Sequence, residues 1–400
     1  MAGSEDKSKT FLLIRVMIRA FYFLVHAFVS TKRRIVFLSR QSDEPCLDFV
    51  LLRDNLINRM PDWEIVESCH KKQSVKTVVR DVFYVATSRV CILDGYSPAV
   101  SIPKVDPKLV VIQLWHAFGA IKKFGWQTVG TKSGRSTTMA EGFAMHKNYT
   151  AIIASGTGCV SAYTEAFRCS EDLIKVLGLP TVDYLASVGE NSERLKRHEV
   201  IIGENPILAS GKINVLYAPT FRSDEEAYIG GGDVELFAER LAEVLPGEKC
   251  NLIVNTHPFE RKTPQGPLGD SSLLFIPDTS SIDLLELAEY VVTDYSSIAF
   301  EAASLGKKVI FYVPDIESYR EVPGLNIDPE ALFPEVTFRH AEGVSAFLLG
   351  DGEGGEVGGA PGAFANSFSS FCNSYLIGKQ QDATRRIGSY IESCLTGNRA

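Results

Sequence analysis

From Ile35 onward the chain alternates between two hydrophobic rhythms. Continuous apolar runs of strand length, typical of strands buried on both faces, are separated by windows with helical spacing. The first series of predicted strands covers residues 35–39, 63–67, 91–94, 109–114, 152–155 and 173–180, with helices over 49–60 and 82–88. A polar stretch, 190–204, reads as a link to a second series. Its strands are predicted at 213–217, 251–255, 273–276, 290–292 and 309–312, with a helix over 234–244. A Gly-rich loop at 352–362 and a helix over about 367–395 end the chain. Alternation of this kind predicts parallel sheets covered by helices, an α/β protein with two Rossmann-like halves.

The first 34 residues follow a different pattern. Residues 11–30 are strongly apolar, but Arg15, Arg19, Tyr22, His26 and Ser30 fall on one helical stripe, and Lys32, Arg33 and Arg34 follow. The arginines interrupt the apolar core that a signal peptide needs, and a spanning helix would carry them at a cost. A helix lying in the membrane interface beside anionic headgroups accommodates both the stripe and the basic end. A core or oligomer helix and a spanning helix remain as alternatives.

Composition narrows the class. The chain has 400 residues, 45% of them hydrophobic and 22% charged, enough for two domains with ample cores. A net charge of −8 argues against a nucleic-acid binder. The eight cysteines form no CxxC pair and have no histidine at zinc spacing, so reduced thiols in a cytosolic protein are expected. No metal and no cofactor is expected.

The candidate chemistry sits where predicted strands end, the edge at which parallel sheets present their ligands. Trp115-His116 directly follows 109–114 and precedes Lys122 and Lys123; a histidine there can take a proton from an alcohol near neutral pH. Tyr217-Ala-Pro-Thr220-Phe-Arg222 follows the strand at 213–217, and a planar guanidinium suits a phosphate, although a surface ion pair of Arg222 with Asp224 or Glu225 is the alternative. Asn255-Thr-His257-Pro follows 251–255, with a capping role as the alternative for His257. Asp294-Tyr-Ser296-Ser297 leads into a helix, where free N–H groups and hydroxyls can hold phosphate. Glu301, one turn on, can accept from ribose hydroxyls. Asp294 reads equally as a helix N-cap.

These segments, in this order and spacing, resemble the CDP-glycerol glycerophosphotransferases that build wall teichoic acid and related polyol-phosphate polymers. The resemblance rests on Gln113-Leu-Trp-His-Ala-Phe-Gly119 with Lys122-Lys123, on Tyr217 to Arg222, on His257-Pro258, and on Thr293 to Glu301 with Val309 to Arg320 behind it. A weaker echo runs from Ala154-Ser-Gly to Gly178-Leu-Pro-Thr-Val-Asp183. The family's glycine after the histidine is Ala117 here, and the basic residue two before the second histidine is Asn255.

The resemblance implies a GT-B-like fold, two Rossmann-like domains facing a cleft. The expected divisions are 1–34 for the amphipathic membrane helix, 35–195 for an acceptor-side domain and 196–400 for a CDP-polyol domain, with the last helix packing back on the first domain. It implies transfer of glycerol phosphate from CDP-glycerol to a hydroxyl of a lipid-linked acceptor, with CMP released. His116 would be the general base, and His257 would stabilise or protonate the leaving group. Thr220, Arg222, Asp294, Ser296, Ser297 and Glu301 would hold the donor, and Lys122 and Lys123 would draw in the anionic acceptor, a polyprenyl-linked disaccharide or polyol-phosphate chain. The expected location is the cytoplasmic face of the cell membrane, as a peripheral protein. Alternatives are a CDP-ribitol enzyme, a GT-B glycosyltransferase or epimerase using a UDP-sugar, and a non-catalytic membrane adaptor.

Overall fold

The structure is a computed structural model that describes residues 2–187, 192–220, 234–255, 273–276, 279–350, 368, 370–376 and 382–397. The Gly-rich loop at 352–362, Arg222 and His257 lie outside the described residues. The chain forms two compact units. Unit 1 comprises residues 1–117, 124–184 and 377–400, and unit 2 comprises 118–123 and 185–376.

Unit 1 is built on six parallel strands: β1 (Arg34–Ser39), β2 (Glu64–Cys69), β3 (Val90–Leu93), β4 (Val110–Gln113), β5 (Ala151–Ala154) and β6 (Ile174–Val176). Their order is β2-β1-β3-β4-β5-β6. Every residue of β1, β3, β4 and β5 is buried, as the continuous apolar runs require. The strand order reverses between β1 and β3, where Leu38 is level with Leu93. Just beyond, the Ser39 hydroxyl donates to the Asp94 carboxyl at 2.6 Å, so the two strand ends are tied together.

Unit 2 carries β7 (Ile213–Tyr217), β8 (Cys250–Val254), β9 (Leu273–Phe275), β10 (Tyr290–Thr293), β11 (Lys308–Tyr312) and β12 (Thr337–Phe338). The order is β12-β11-β10-β7-β8-β9, the dinucleotide-fold order with its reversal between β7 and β10. The helix Val234–Val244 packs on this sheet through Phe237, Ala238 and Leu241. Two-residue β12 is too short to leave a hydrophobic signal.

Several expectations are corrected. The helix predicted at 82–88 spans Val75–Thr87 and opens with a Ser74–Thr77 capping box. The polar link is the helix Ser192–Glu204, which buries Arg194 against Glu286. The single closing helix is two: residues 370–375 are helical, but Leu376 leaves the helix and Asp382 (φ −144, ψ 9) lies outside helical geometry. The final helix, Ala383–Thr396, belongs to unit 1. Asp183 accepts from the N–H groups of Ala383 and Thr384 at 3.0 and 2.7 Å. Gly388 lets this helix approach Leu47–Arg59 closely, since a Cβ there would stand 2.4 Å from Asn55 Oδ1.

The N-terminal helix Ala2–Phe28 contains a stretch, Phe11–Phe28, long and apolar enough to cross a membrane by length and composition. Its polar stripe faces unit 1 rather than headgroups. Arg19 Nε donates to the Ile102 carbonyl, Tyr22 Oη accepts from Asp106 N–H, and His26 lies 3.5 Å from the Asp106 carboxylate. Arg34, expected in the basic end, is buried between Thr87 and Glu64. The apolar side is the one left open: Leu12, Leu13, Met17, Phe23 and Phe28 are 60–83% exposed.

Candidate functional site

Unit 2 presents chemistry at the point where its strand order reverses, and unit 1 at the end of β4, one strand beyond its own reversal. In unit 1 the central feature is the end of β4. Gln113 is fully buried and holds three loops: its Nε2 donates to Gly95 O and Tyr149 Oη, and its Oε1 accepts from Trp115 N–H at 2.9 Å. Trp115 takes a left-handed backbone (φ 63), a strained conformation for a bulky residue. Stacking on Phe124 at 4.5 Å and an edge contact with Phe167 help fix it there.

The next residue, His116, has Nδ1 2.8 Å from the Asp94 carbonyl. A carbonyl can only accept, so Nδ1 carries the proton; Gln41 Nε2 stands farther away, at 3.5 Å. That tautomer makes Nε2 the basic nitrogen, the arrangement a general base requires. Asp94 itself is 1% exposed, and burial pushes its carboxyl up to about 6.

In unit 2, Asp294 follows β10 and is buried. Its Oδ1 accepts from Thr220 N–H at 2.7 Å and from Tyr295 N–H at 2.6 Å, which joins the loops after β7 and β10. Asp294 is therefore a loop clasp, and the helix Ile298–Ser304 has Ser297 as its N-cap. Ser296 and Ser297 are half-buried, and Glu301 lies in the first turn. The Thr220 hydroxyl is buried with no hydrogen-bond partner among the described residues. Tyr295 stacks on Tyr319 at 3.8 Å and donates to Asp315, which stiffens the loop from below.

Lys122 and Lys123 count with unit 2, in the segment Phe118–Lys123, whose flanking residues Ala117 and Phe124 belong to unit 1. Lys122 bridges to Leu325, Lys123 N–H donates to Gly324 O, and Asn326 Nδ2 donates to Lys122 O. In the same segment Gly119 has φ 61, and a Cβ there would meet the Phe300 ring at 2.4 Å. The glycine requirement thus falls at 119, and Ala117 keeps an ordinary negative φ. Asn255 is fully engaged in its own loop, donating to Ile276 O and Thr279 O and accepting from Ser281, so its amide is not offered to a phosphate.

Thr220, Asp294, Ser296 and Ser297 are thus brought together at one strand reversal, and His116 stands at the other unit's sheet edge. Asp94 and Gln113, which set His116, were not singled out from the sequence. Asp94 is the last residue of the strand predicted at 91–94 and was open to the same rule; nothing in the local sequence marks Gln113 as a three-way clamp. Among the described residues no group of three or more His, Cys, Asp or Glu is placed to hold a metal ion.

Comparison with known proteins agrees with this fold. The chain is 29% identical over 316 residues to a teichoic acid ribitol-phosphate primase of Bacillus spizizenii, covering 79% of this chain and 77% of the relative. It is 28% identical over 249 residues to a teichoic acid glycerol-phosphate primase of the same organism, covering 62% of each. Among solved structures, a variant of the wall teichoic acid polymerase TagF superposes with a TM-score of 0.74 at 17% identity, covering 98% of both chains. That likeness shows the same fold; the polymerase has also been solved after soaking with CDPG. The match to a family described as CDP-Glycerol:Poly(glycerophosphate) glycerophosphotransferase extends over residues 20–353, well over half of the sequence, and the chain belongs to that family.

Proposed function

We propose that this protein transfers a polyol phosphate from a CDP-activated polyol to a hydroxyl of a lipid-linked acceptor, as a step in teichoic-acid-like polymer synthesis. The observation that carries the reading is His116: a strand-end histidine held by the Asp94 carbonyl in the tautomer with a basic Nε2. In the reaction the acceptor oxygen attacks the β-phosphorus of the donor. Its proton passes to His116 Nε2, the bond from the β-phosphorus to the bridging oxygen breaks, and CMP leaves. Unit 2 holds the donor: the Asp294 clasp fixes the two loops, Ser296, Ser297 and Thr220 offer hydroxyls to the phosphates, and Glu301 receives the ribose hydroxyls. Arg222 and His257 complete the donor set by the family resemblance and carry charge that develops on the phosphates. Lys122 and Lys123 serve the anionic acceptor. The open apolar side of the N-terminal helix meets the cytoplasmic membrane surface, where the acceptor resides.

CDP-glycerol is the donor that the family description names. CDP-ribitol is a second reading, because the relative matched over the larger share of this chain is a ribitol-phosphate primase. Release of CMP from each donor, with a lipid-linked acceptor analogue and full-length protein, decides between them. Acceptor-dependent release is expected from one donor, falling about 100- to 10,000-fold in His116→Ala. No release from either donor, with CDP still bound, would overturn the transferase reading and leave a membrane-docked adaptor.

A further inference from the structure

Unit 1 contains a cavity of about 360 Å³ lined in part by Arg40, Tyr96, Trp115 and Arg135. The volume is in the range of small-ligand clefts, roughly 300–1,000 Å³. Arg40 follows β1, Tyr96 follows β3 and Trp115 follows β4, so the cavity opens at the strand reversal, where open α/β sheets receive ligands.

Its lining is basic, and the carboxylate acting on Arg40, Asp81, stands outside that lining. Arg40 Nη1 donates to the Tyr96 carbonyl, and the Arg135 guanidinium lies 4.8 Å over the Tyr96 ring, so both cations gather on one residue. Neither forms an ion pair among the described residues, and the lining holds no carboxylate. Arg40 Nε is buried with no hydrogen-bond partner among the described residues. The third basic group, His146, is kept neutral, its pKa pressed down to about 3 by burial and by Arg135. Two like charges placed near one another cost free energy that the Tyr96 carbonyl and ring return in part and that a bound anion would recover further. Burial and then Arg135 lower the pKa of Arg40 against a smaller opposing pull from Tyr96 and Asp81, which is the same cost seen as a titration.

We propose that this cavity is a phosphate subsite for the acceptor: Arg40 and Arg135 grip a phosphodiester or pyrophosphate group, while Tyr96 and Trp115 cover the C–H face of the adjoining sugar or polyol. Planar guanidiniums suit such oxygens, and aromatic faces suit a ring with few charges. Gln41, which also lines the cavity, stands 3.5 Å from His116 Nδ1, so the grip and the proposed base share a neighbour. The assignment to the acceptor rests on the transferase reading; the phosphate site itself does not.

Two sources supply this chemistry, the pyrophosphate beneath a lipid-linked sugar and the phosphodiester of a growing polyol chain. Calorimetric titration of full-length protein with methyl diphosphate and, separately, with glycerophosphoglycerol distinguishes them. Binding of one probe is expected, weakened about tenfold to a hundredfold in Arg135→Ala and in Arg40→Gln. In the transfer assay the same variants raise the acceptor KM by a similar factor, with kcat and the donor KM unchanged. Arg135 is exposed, so its variant decides even where Arg40→Gln fails to fold. Failure of wild type to bind either probe, or equal binding by wild type and Arg135→Ala, overturns the proposal. Arginine-dependent binding without any CMP release would keep the site and remove the transferase reading instead.

Discussion

At the scale of single residues, the site is set by buried groups that hold other residues in place. Asp94 is the sharpest case. Its carboxyl moves from 3.8 to about 6 on burial, so the fold binds this proton more tightly than the unfolded chain does. Stability from that proton is full below about pH 4 and is lost as pH rises through 6. Asp94→Asn removes the dependence. Its stability relative to wild type should grow by about 3 kcal/mol between pH 4 and pH 8, read from denaturant melts across that range. A difference that does not change with pH would show that burial does not raise this carboxyl. Gln113 acts through geometry: Gln113→Ala removes the partner of Trp115 N–H and of Gly95 O at once and leaves Tyr149 Oη to His146 alone. We expect kcat to fall by about a hundredfold, as for a small misplacement of a catalytic group, with the donor KM unchanged. A loss in donor KM instead would place Gln113 in substrate binding.

At the scale of elements, the N-terminal helix shows what periodicity can and cannot say. The stripe Arg15-Arg19-Tyr22-His26 was visible in the sequence, but a stripe does not reveal which side faces solvent. Here the carbonyls of Ala86 and Ile102 and the Asp106 carboxylate await the polar side, so it packs inward. Serine at Leu13, Met17 and Phe23 together should abolish binding to anionic vesicles and leave the melting temperature unchanged. Tyr22→Ala, which empties a buried position, should cost about 3 kcal/mol. If the triple variant unfolded and Tyr22→Ala did not, the orientation would be reversed. Strands were legible for a simpler reason: β1, β3, β4, β7 and β10 are apolar runs that suit only a sheet covered on both sides. The helix Val75–Thr87 was half hidden because Val75, Thr77, Val78 and Val79 are β-branched and suit strands as well. The helix Ser192–Glu204 was hidden by its charge, since burying Arg194 depends on Glu286, some ninety residues away in the chain.

At the scale of the whole molecule, the donor loops were readable in the sequence as strand–hydroxyl–helix segments, whereas the Arg40–Arg135 pair was not. Arg40 directly follows a strand, but Arg135 reaches the same cavity from a loop far from any strand end, and only the tertiary fold joins them. Connectivity carries a further prediction. Unit 1 is closed by the last helix, whose Ile387 and Ile391 are fully buried and whose Glu392 pairs with Arg59. Removing residues 377–400 should cost about 5 kcal/mol or more. Hydrogen exchange in β1–β6 would then lose its slowest amides; wild-type protection in the truncated chain would refute the assignment of this helix to the unit's core.

The same helix sets a clock on synthesis. Asp183 waits for the N–H groups of Ala383 and Thr384, so about 200 residues must be made after the six strands of unit 1 before that unit can finish. At about 5–20 residues per second, the nascent chain leaves an apolar face uncovered for about 10–40 s. Unit 1 therefore reaches its final packing only after unit 2 has been made, and its early strands must stay soluble until then.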